Sequence, residues 1–363
     1  MRVPHFASRS LAALAVAALA AGCGGGDSNA PDAPFDAAGT TSDLGAMEAS
    51  FESPAMHGYA SASQAISAVL GETPAAAAVK AAPTKALILG DRQGSGQYAA
   101  ALAKAYVRPA GGIRPSLSTA AILDEHLGVT FVYNPETDQY EASDAAGAPA
   151  AGVRFIIYAV DPVTRVPVEP LVEVGYADIV STASASGGTV RIEVVSGGVT
   201  YLDYAVGYTG NTSAATISVT GFVTNGDDRV NFDLDNHFDF GSESLVLDYS
   251  LTVPTRGGFR IDFEAGMSLN TGTMTTALEA RGPHGTVTIA GTQSATAGSF
   301  EVEVNGALFA TITMPDGGAP VFAGADGEPL TQAELDALAA LLGIFADGFT
   351  FFADLLGPIG ALG

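Results

Sequence analysis

Between Thr189 and Met314, apolar and polar residues alternate in segments of strand length. Phe259, Ile261 and Phe263 fall on one side of such a segment, with Arg260, Asp262 and Glu264 on the other. Val230, Phe232 and Leu234 alternate in the same way with Asn231, Asp233 and Asp235, as do Phe300, Val302 and Val304 with Glu301, Glu303 and Asn305. A period of two gives a β-sheet one wet and one dry face. The segments are separated by Ser196-Gly197-Gly198, Asn225-Gly226-Asp227, Arg256-Gly257-Gly258 and Asn305-Gly306. Such residues suit tight antiparallel hairpins rather than helical crossovers. The pattern predicts a mainly β fold: a large curled antiparallel meander of about a dozen strands, because a sheet of that size must curl, split or close.

The strand signal begins at Val129-Thr130-Phe131-Val132-Tyr133, with Asn134 to Asp138 as a turn and Gln139-Tyr140-Glu141 as the return. Val153 to Val160 is almost wholly apolar, which predicts a strand covered on both faces. Upstream, residues 56–127 carry helical spacing at Ile66, Val69 and Leu70 and an Ala-rich stretch from Tyr98 to Tyr106. Pro74, Pro83, Pro109 and Pro115 cut this region, so short helices that pack on the sheet are expected. After a Pro/Gly-rich connection, Thr331-Gln332-Ala333-Glu334 has the spacing of a capping box. Leu335, Leu338, Leu342, Phe345, Phe349, Phe352 and Leu356 follow at intervals of three and four, which predicts a C-terminal amphipathic helix over 331–357 packed on the sheet.

Composition adds constraints on partners. Asp and Glu outnumber Lys and Arg by 39 to 15, a formal charge of −24, so a nucleic-acid backbone would be repelled. The three lysines lie between Lys80 and Lys104 and the arginines are scattered, which leaves no basic patch for anionic lipid. The acidic surplus keeps a β-rich protein soluble.

The first residues read as an address. Arg2 and Arg9 precede an apolar run from Leu11 to Ala21, too short to anchor stably as a membrane span. The run ends Leu19-Ala20-Ala21-Gly22-Cys23, and Cys23 is the only cysteine of the chain. This stretch resembles the lipobox of bacterial lipoproteins, although Ala20 stands three places before the cysteine where that family usually has leucine. The resemblance implies cleavage before Cys23, covalent diacylglycerol and fatty acid on that residue, and a membrane partner reached through the anchor. Gly24, not Asp, follows the cysteine, which by the same resemblance implies delivery to the outer membrane. The expected organisation is a signal peptide over 1–22, a flexible Gly-, Ala-, Asp- and Pro-rich tether over 23–55, and one β-rich domain over 56–363. Within it, 56–127 is the helical part, 128–314 the sheet and 331–357 the C-terminal helix.

Motifs for chemistry are scarce. There is no HExxH pattern, no G-x-S-x-G elbow and no Walker A loop, and no other cofactor is implied. The densest acidic cluster holds Asp233, Asp235 and Asp239, with Asp233 and Asp235 on one strand face, a spacing that could hold calcium weakly. The plainer reading is a solvated strand face. The expected role is therefore that of a structural or surface-interaction protein of the envelope, not an enzyme, with its acidic face toward an envelope protein. The alternative is a carrier whose half-barrel sheet holds a hydrophobic ligand, in outline similar to the half-barrel lipoproteins. Phe345, Phe349 and Phe352 would complete a core in the first case and line a cavity in the second.

Overall fold

The computed structural model describes residues 35–70, 122, 124–161, 166–184, 187–210, 213–239, 241–268, 270–294, 297–315 and 321–342. Two helices lead, α1 (Ala37–Ala49) and α2 (Pro54–Leu70). The strands follow: β1 (Thr130–Asn134), β2 (Gln139–Ser143), β3 (Gly152–Tyr158), β4 (Glu173–Ser184), β5 (Gly187–Ser196), β6 (Val199–Gly210), β7 (Ala214–Thr224) and β8 (Arg229–Asp239). The run continues with β9 (Ser244–Val253), β10 (Phe259–Ser268), β11 (Thr273–Gly282), β12 (Gly285–Gln293), β13 (Gly298–Val304), β14 (Ala307–Met314) and β15 (Val321–Gly324). A helix over 332–342, α3, closes the described chain.

All fifteen strands lie in one open sheet, ordered β15 to β3 in strict sequence and then β1 and β2. Each pairing is antiparallel except β1 with β3, which run parallel through Thr130↔Arg154 and Phe131↔Phe155. This parallel step departs from the uniformly antiparallel expectation. β15 is also new, since the connection after Met314 carried no strand signal.

The alternation read from the sequence is the alternation of burial. In β8, Val230, Phe232, Leu234 and Phe238 are buried while Asp233, Asp235 and His237 face water. In β10 the buried set is Phe259, Ile261, Phe263 and Ala265, and in β13 it is Phe300, Val302 and Val304. Asn236 breaks the pattern by lying on the dry side, where its Oδ1 accepts from the Tyr249 hydroxyl at 2.9 Å. Two tips behave as their residues require: Gly197 (φ 57°) with Gly198 (φ 79°), and Asn305 (φ 51°) with Gly306 (φ 81°), are two-residue turns with both φ values positive.

The sheet is curled toward its dry face. Strands two apart are about 9.5 Å from each other in a flat sheet, yet the rings of Tyr204 (β6) and Phe232 (β8) approach to 6.4 Å. They meet over Gly221 of β7, which pairs with both residues. A side chain at Gly221 would start only 2.5 Å from the Tyr204 Cβ, so the glycine is what allows this approach.

Antiparallel order sends successive tips to alternate ends. One end gathers the tips β1–β2, β5–β6, β7–β8, β9–β10, β11–β12 and β13–β14 with the β3–β4 connection; it is the rim. Helix α1 lies along this rim. Phe35 packs edge-on against Phe309 of β14 at 5.4 Å, Asp36 holds His284 in the β11–β12 turn, and Asn225 of the β7–β8 turn donates to Ala49 O at 3.1 Å.

This placement corrects the tether. From Phe35 onward the segment read as flexible is part of the domain, with Ala37, Leu44, Ala46 and Met47 buried. Its small residues serve close approach: a Cβ on Gly39 would fall 2.3 Å from the His284 ring. Residues 24–34 lie outside the described residues.

Helix α2 is longer than the short helices expected, at 17 residues. Ser53 caps it, its Oγ accepting from Met56 N at 3.2 Å, with Pro54 in the first turn where no N–H partner is needed. It lies on the dry face of β2 to β6, with Gly58 close against Tyr158 O and the Tyr59 hydroxyl 3.0 Å from that of Tyr204. Only one face of β3 is fully covered: Val153, Phe155 and Ile157 are buried, whereas Arg154, Ile156 and Tyr158 are half-buried. Helices sought between 71 and 121 lie outside the described residues.

The capping box is formed as read. Glu334 Oε2 accepts from Thr331 N at 2.7 Å, and Thr331 Oγ1 accepts from Glu334 N at 3.3 Å. Ala337, Leu338 and Leu341 of α3 are wholly buried, and the two leucines join the same core as the sheet and the other helices. The remainder of the segment, with Phe345, Phe349 and Phe352, lies outside the described residues, as does Cys23.

Candidate functional site

The outer face of β8 to β11 gathers carboxylates from four adjacent strands. Asp233, Asp235, His237 and Asp239 all stand on that face of β8, because odd positions there point outward. The register brings in carboxylates from other strands. Asp235 lies opposite Asp248 of β9, which lies opposite Glu264 of β10, so three acids form a row across three adjacent strands. In the next row Asp233 faces Ser250, which faces Asp262, which faces Glu279 of β11.

The arginines serve the second row. Arg260 reaches Asp262 at 2.6 Å, and Arg281 reaches Asp262 at 3.0 Å and Glu279 at 3.2 Å. The first row keeps its mutual repulsion. The Asp248 carboxyl is pushed above its ordinary value, first by partial burial and then by Glu264, Asp235, Asp262 and Asp233. Partial burial and then Asp235 push Asp233 in the same direction, against the pull of Arg260.

The three acids singled out by sequence do not converge. Asp235 accepts from the Ser218 hydroxyl, and Asp239 is occupied by its own turn, accepting from Gly241 N at 2.8 Å and Ser242 N at 3.0 Å. Among the described residues, no three His, Cys, Asp or Glu side chains gather in a metal-holding group. The arrangement is an open, negatively charged strand face.

A sign follows for Asp248. Its pKa is higher in the fold than in the unfolded chain, so its charge lowers stability above that pKa, and the loss disappears as pH falls through it. Asp248→Asn is therefore expected to raise the free energy of unfolding at pH 7, seen as a higher urea midpoint, by up to about 1 kcal/mol after solvent screening. The gain should shrink in acid and in molar salt. A lowered midpoint at pH 7 would show that the carboxylate makes a favourable contact in the fold.

A second cluster joins α1 to the rim. Asp36 caps α1 by accepting from Gly39 N at 2.9 Å, and its other oxygen is 2.7 Å from His284 Nδ1. Those bonds, the Gly39 amide first and then His284, hold its carboxyl below the usual range. Asp43, about two helical turns further along, is buried, with Oδ2 lacking a hydrogen bond and lying 3.7 Å from His284 Nε2. Burial raises its pKa against the opposing charges of His284 and Arg256. Arg256 itself pairs with Asp228 at 2.9 Å, which also accepts from Thr255 Oγ1 at 2.6 Å, locking the β9–β10 turn to the β7–β8 turn. A histidine between two carboxylates is a familiar acid–base set, but here α1 is packed onto the ring at Gly39, and the cluster fastens helix to rim.

Sequence reasoning missed both arrangements. Asp36 and His284 are 248 positions apart, and the acid row exists only through strand register.

Among the described residues no helix is long and apolar enough to cross a membrane. No family model, no curated protein and no solved structure matches the chain.

Proposed function

We propose that the chain is a lipid-anchored protein of the bacterial envelope, held at the outer membrane through Cys23, with a structural or interaction role. Its recognition surface is the acidic outer face centred on Asp235, Asp248 and Glu264. The choice of surface is supported by one observation: the described dry-face residues join a single core with α1, α2 and α3, while Asp235, Asp248 and Glu264 stand side by side across three strands of the outer face; the anchor is supported by the lipobox resemblance ending at Cys23. A surface of this kind suits a partner bearing lysines or arginines, whose approach would relieve the repulsion among the acids.

The anchor is tested by metabolic labelling with a palmitate analogue. The native chain should take up label and Cys23→Ala should not; equal labelling of both would overturn the anchor. The face is tested by a photo-crosslinker at Glu264 in the native envelope. It should capture a basic neighbour that the double change Asp235→Asn, Asp248→Asn releases, and unaltered capture would refute the role given to the acid row.

A further inference from the structure

His284 meets α1 at two points. Its Nδ1 lies 2.7 Å from Asp36 Oδ2 at the helix N-cap, and its Nε2 lies 3.7 Å from Asp43 Oδ2 further along the helix. The ring is fixed between them by close packing: a Cβ on Gly39 would stand 2.3 Å from Nδ1.

The two carboxylates are unlike. Asp36 is exposed and already accepts from Gly39 N. The Asp43 side chain is only 7% exposed, and its Oδ2 has no hydrogen bond. A neutral imidazole carries one N–H and its cation carries two. While neutral, the ring uses its N–H on the 2.7 Å contact with Asp36 and turns a lone pair toward Asp43. When charged, it presents an N–H to each carboxylate. The buried charge of Asp43 is therefore compensated in one state of the ring and opposed in the other.

The neighbouring cations are committed elsewhere. Arg256 acts on Asp43 through its field, while its guanidinium is paired with Asp228 of the β7–β8 turn. Arg281, on the strand before the His284 turn, is engaged with Asp262 and Glu279. Histidine is the side chain whose charge ordinarily changes between pH 5 and 8. What hangs on the cluster is α1, whose Leu44 and Met47 are buried in the common core.

We propose that His284 is a proton-operated catch on α1: the helix is held against the rim while the imidazole is charged and is loosened as the ring loses its proton. The attraction is present at pH values where the ring is charged and is lost as pH rises through the histidine range. Toward stronger acid, Asp43, whose pKa is raised by burial, takes up a proton and the attraction declines again. The hold is thus tightest in mild acid.

The test is amide hydrogen exchange of the full chain, read by mass spectrometry as protection relative to the intrinsic rate at each pH, with α2 as internal reference. From about pH 5.5 to about pH 8, protection over 37–49 should fall at least about threefold while α2 stays level. In His284→Gln, which stays polar but cannot become charged, the fall should vanish. In Asp43→Asn, which removes the buried charge, α1 should be better protected than in the parent at the upper pH. A level parent profile overturns the catch, as does a fall shared equally by α2 or one that His284→Gln retains. A fall retained in full by Asp43→Asn overturns the pairing of that carboxylate with the ring.

Discussion

Phe155→Ala is expected to lower the free energy of unfolding by about 3 to 5 kcal/mol, the range for removing a buried aromatic ring and leaving a cavity. Phe155 is fully buried. Its ring stacks on Phe131 of β1 at 4.9 Å with an interplanar angle of 12°, and Tyr140 of β2 meets its edge at 5.5 Å. The ring therefore joins the parallel pair β1/β3 to the β1–β2 hairpin, a junction whose direct β1–β3 register is only two residue pairs long. Urea denaturation followed by far-ultraviolet circular dichroism measures the loss. A change under about 1 kcal/mol would mean that β1 and β2 contribute little to the cooperative unit.

The second large effect comes from adding atoms. Gly221→Val should destabilise by about 3 kcal/mol or more, because overpacking a fitted site forces backbone and rings to shift. A Cβ at 221 would stand 2.3 Å from Asp203 O and 2.5 Å from the Tyr204 Cβ. The Tyr204 and Phe232 rings that meet above it would be driven apart, and the local curl with them. Gly207 of β6 supplies the control, since a Cβ there meets nothing within 4 Å. Valine at 207 should be neutral or slightly favourable, as β-branched residues suit strands. Paired urea midpoints decide the matter, and equal losses at the two glycines would discard the steric account.

How much of this fold could be read in advance depends on distance along the chain. Burial in β8, β10 and β13 follows side-chain alternation, a property of neighbours. The tips at Gly197-Gly198 and Asn305-Gly306 are likewise local, as is the capping box of Thr331 and Glu334. The β1/β3 pairing was not legible, because nothing in five residues states which partner they will choose. Helix α1 was hidden for a different reason: glycine and alanine mark both a loose chain and a closely packed one, and only His284 above Gly39 tells them apart. At the acidic face, Asp233 and Asp235 were visible as strand neighbours. Asp248 and Glu264 were visible only as residues, and register made them a row.

The strict succession of partners from β3 to β15 bears on how such a chain can change length. From β4 onward each strand binds only those beside it in sequence, much as units do in a repeat array. Excising one strand would reverse the direction of every later one and exchange its ends. Excising a hairpin, such as β11 with β12, would return the chain to the same end in the same direction. Insertions and losses in a sheet of this kind are thus counted in even numbers, and its breadth can grow or shrink by pairs while both of its termini keep their sides.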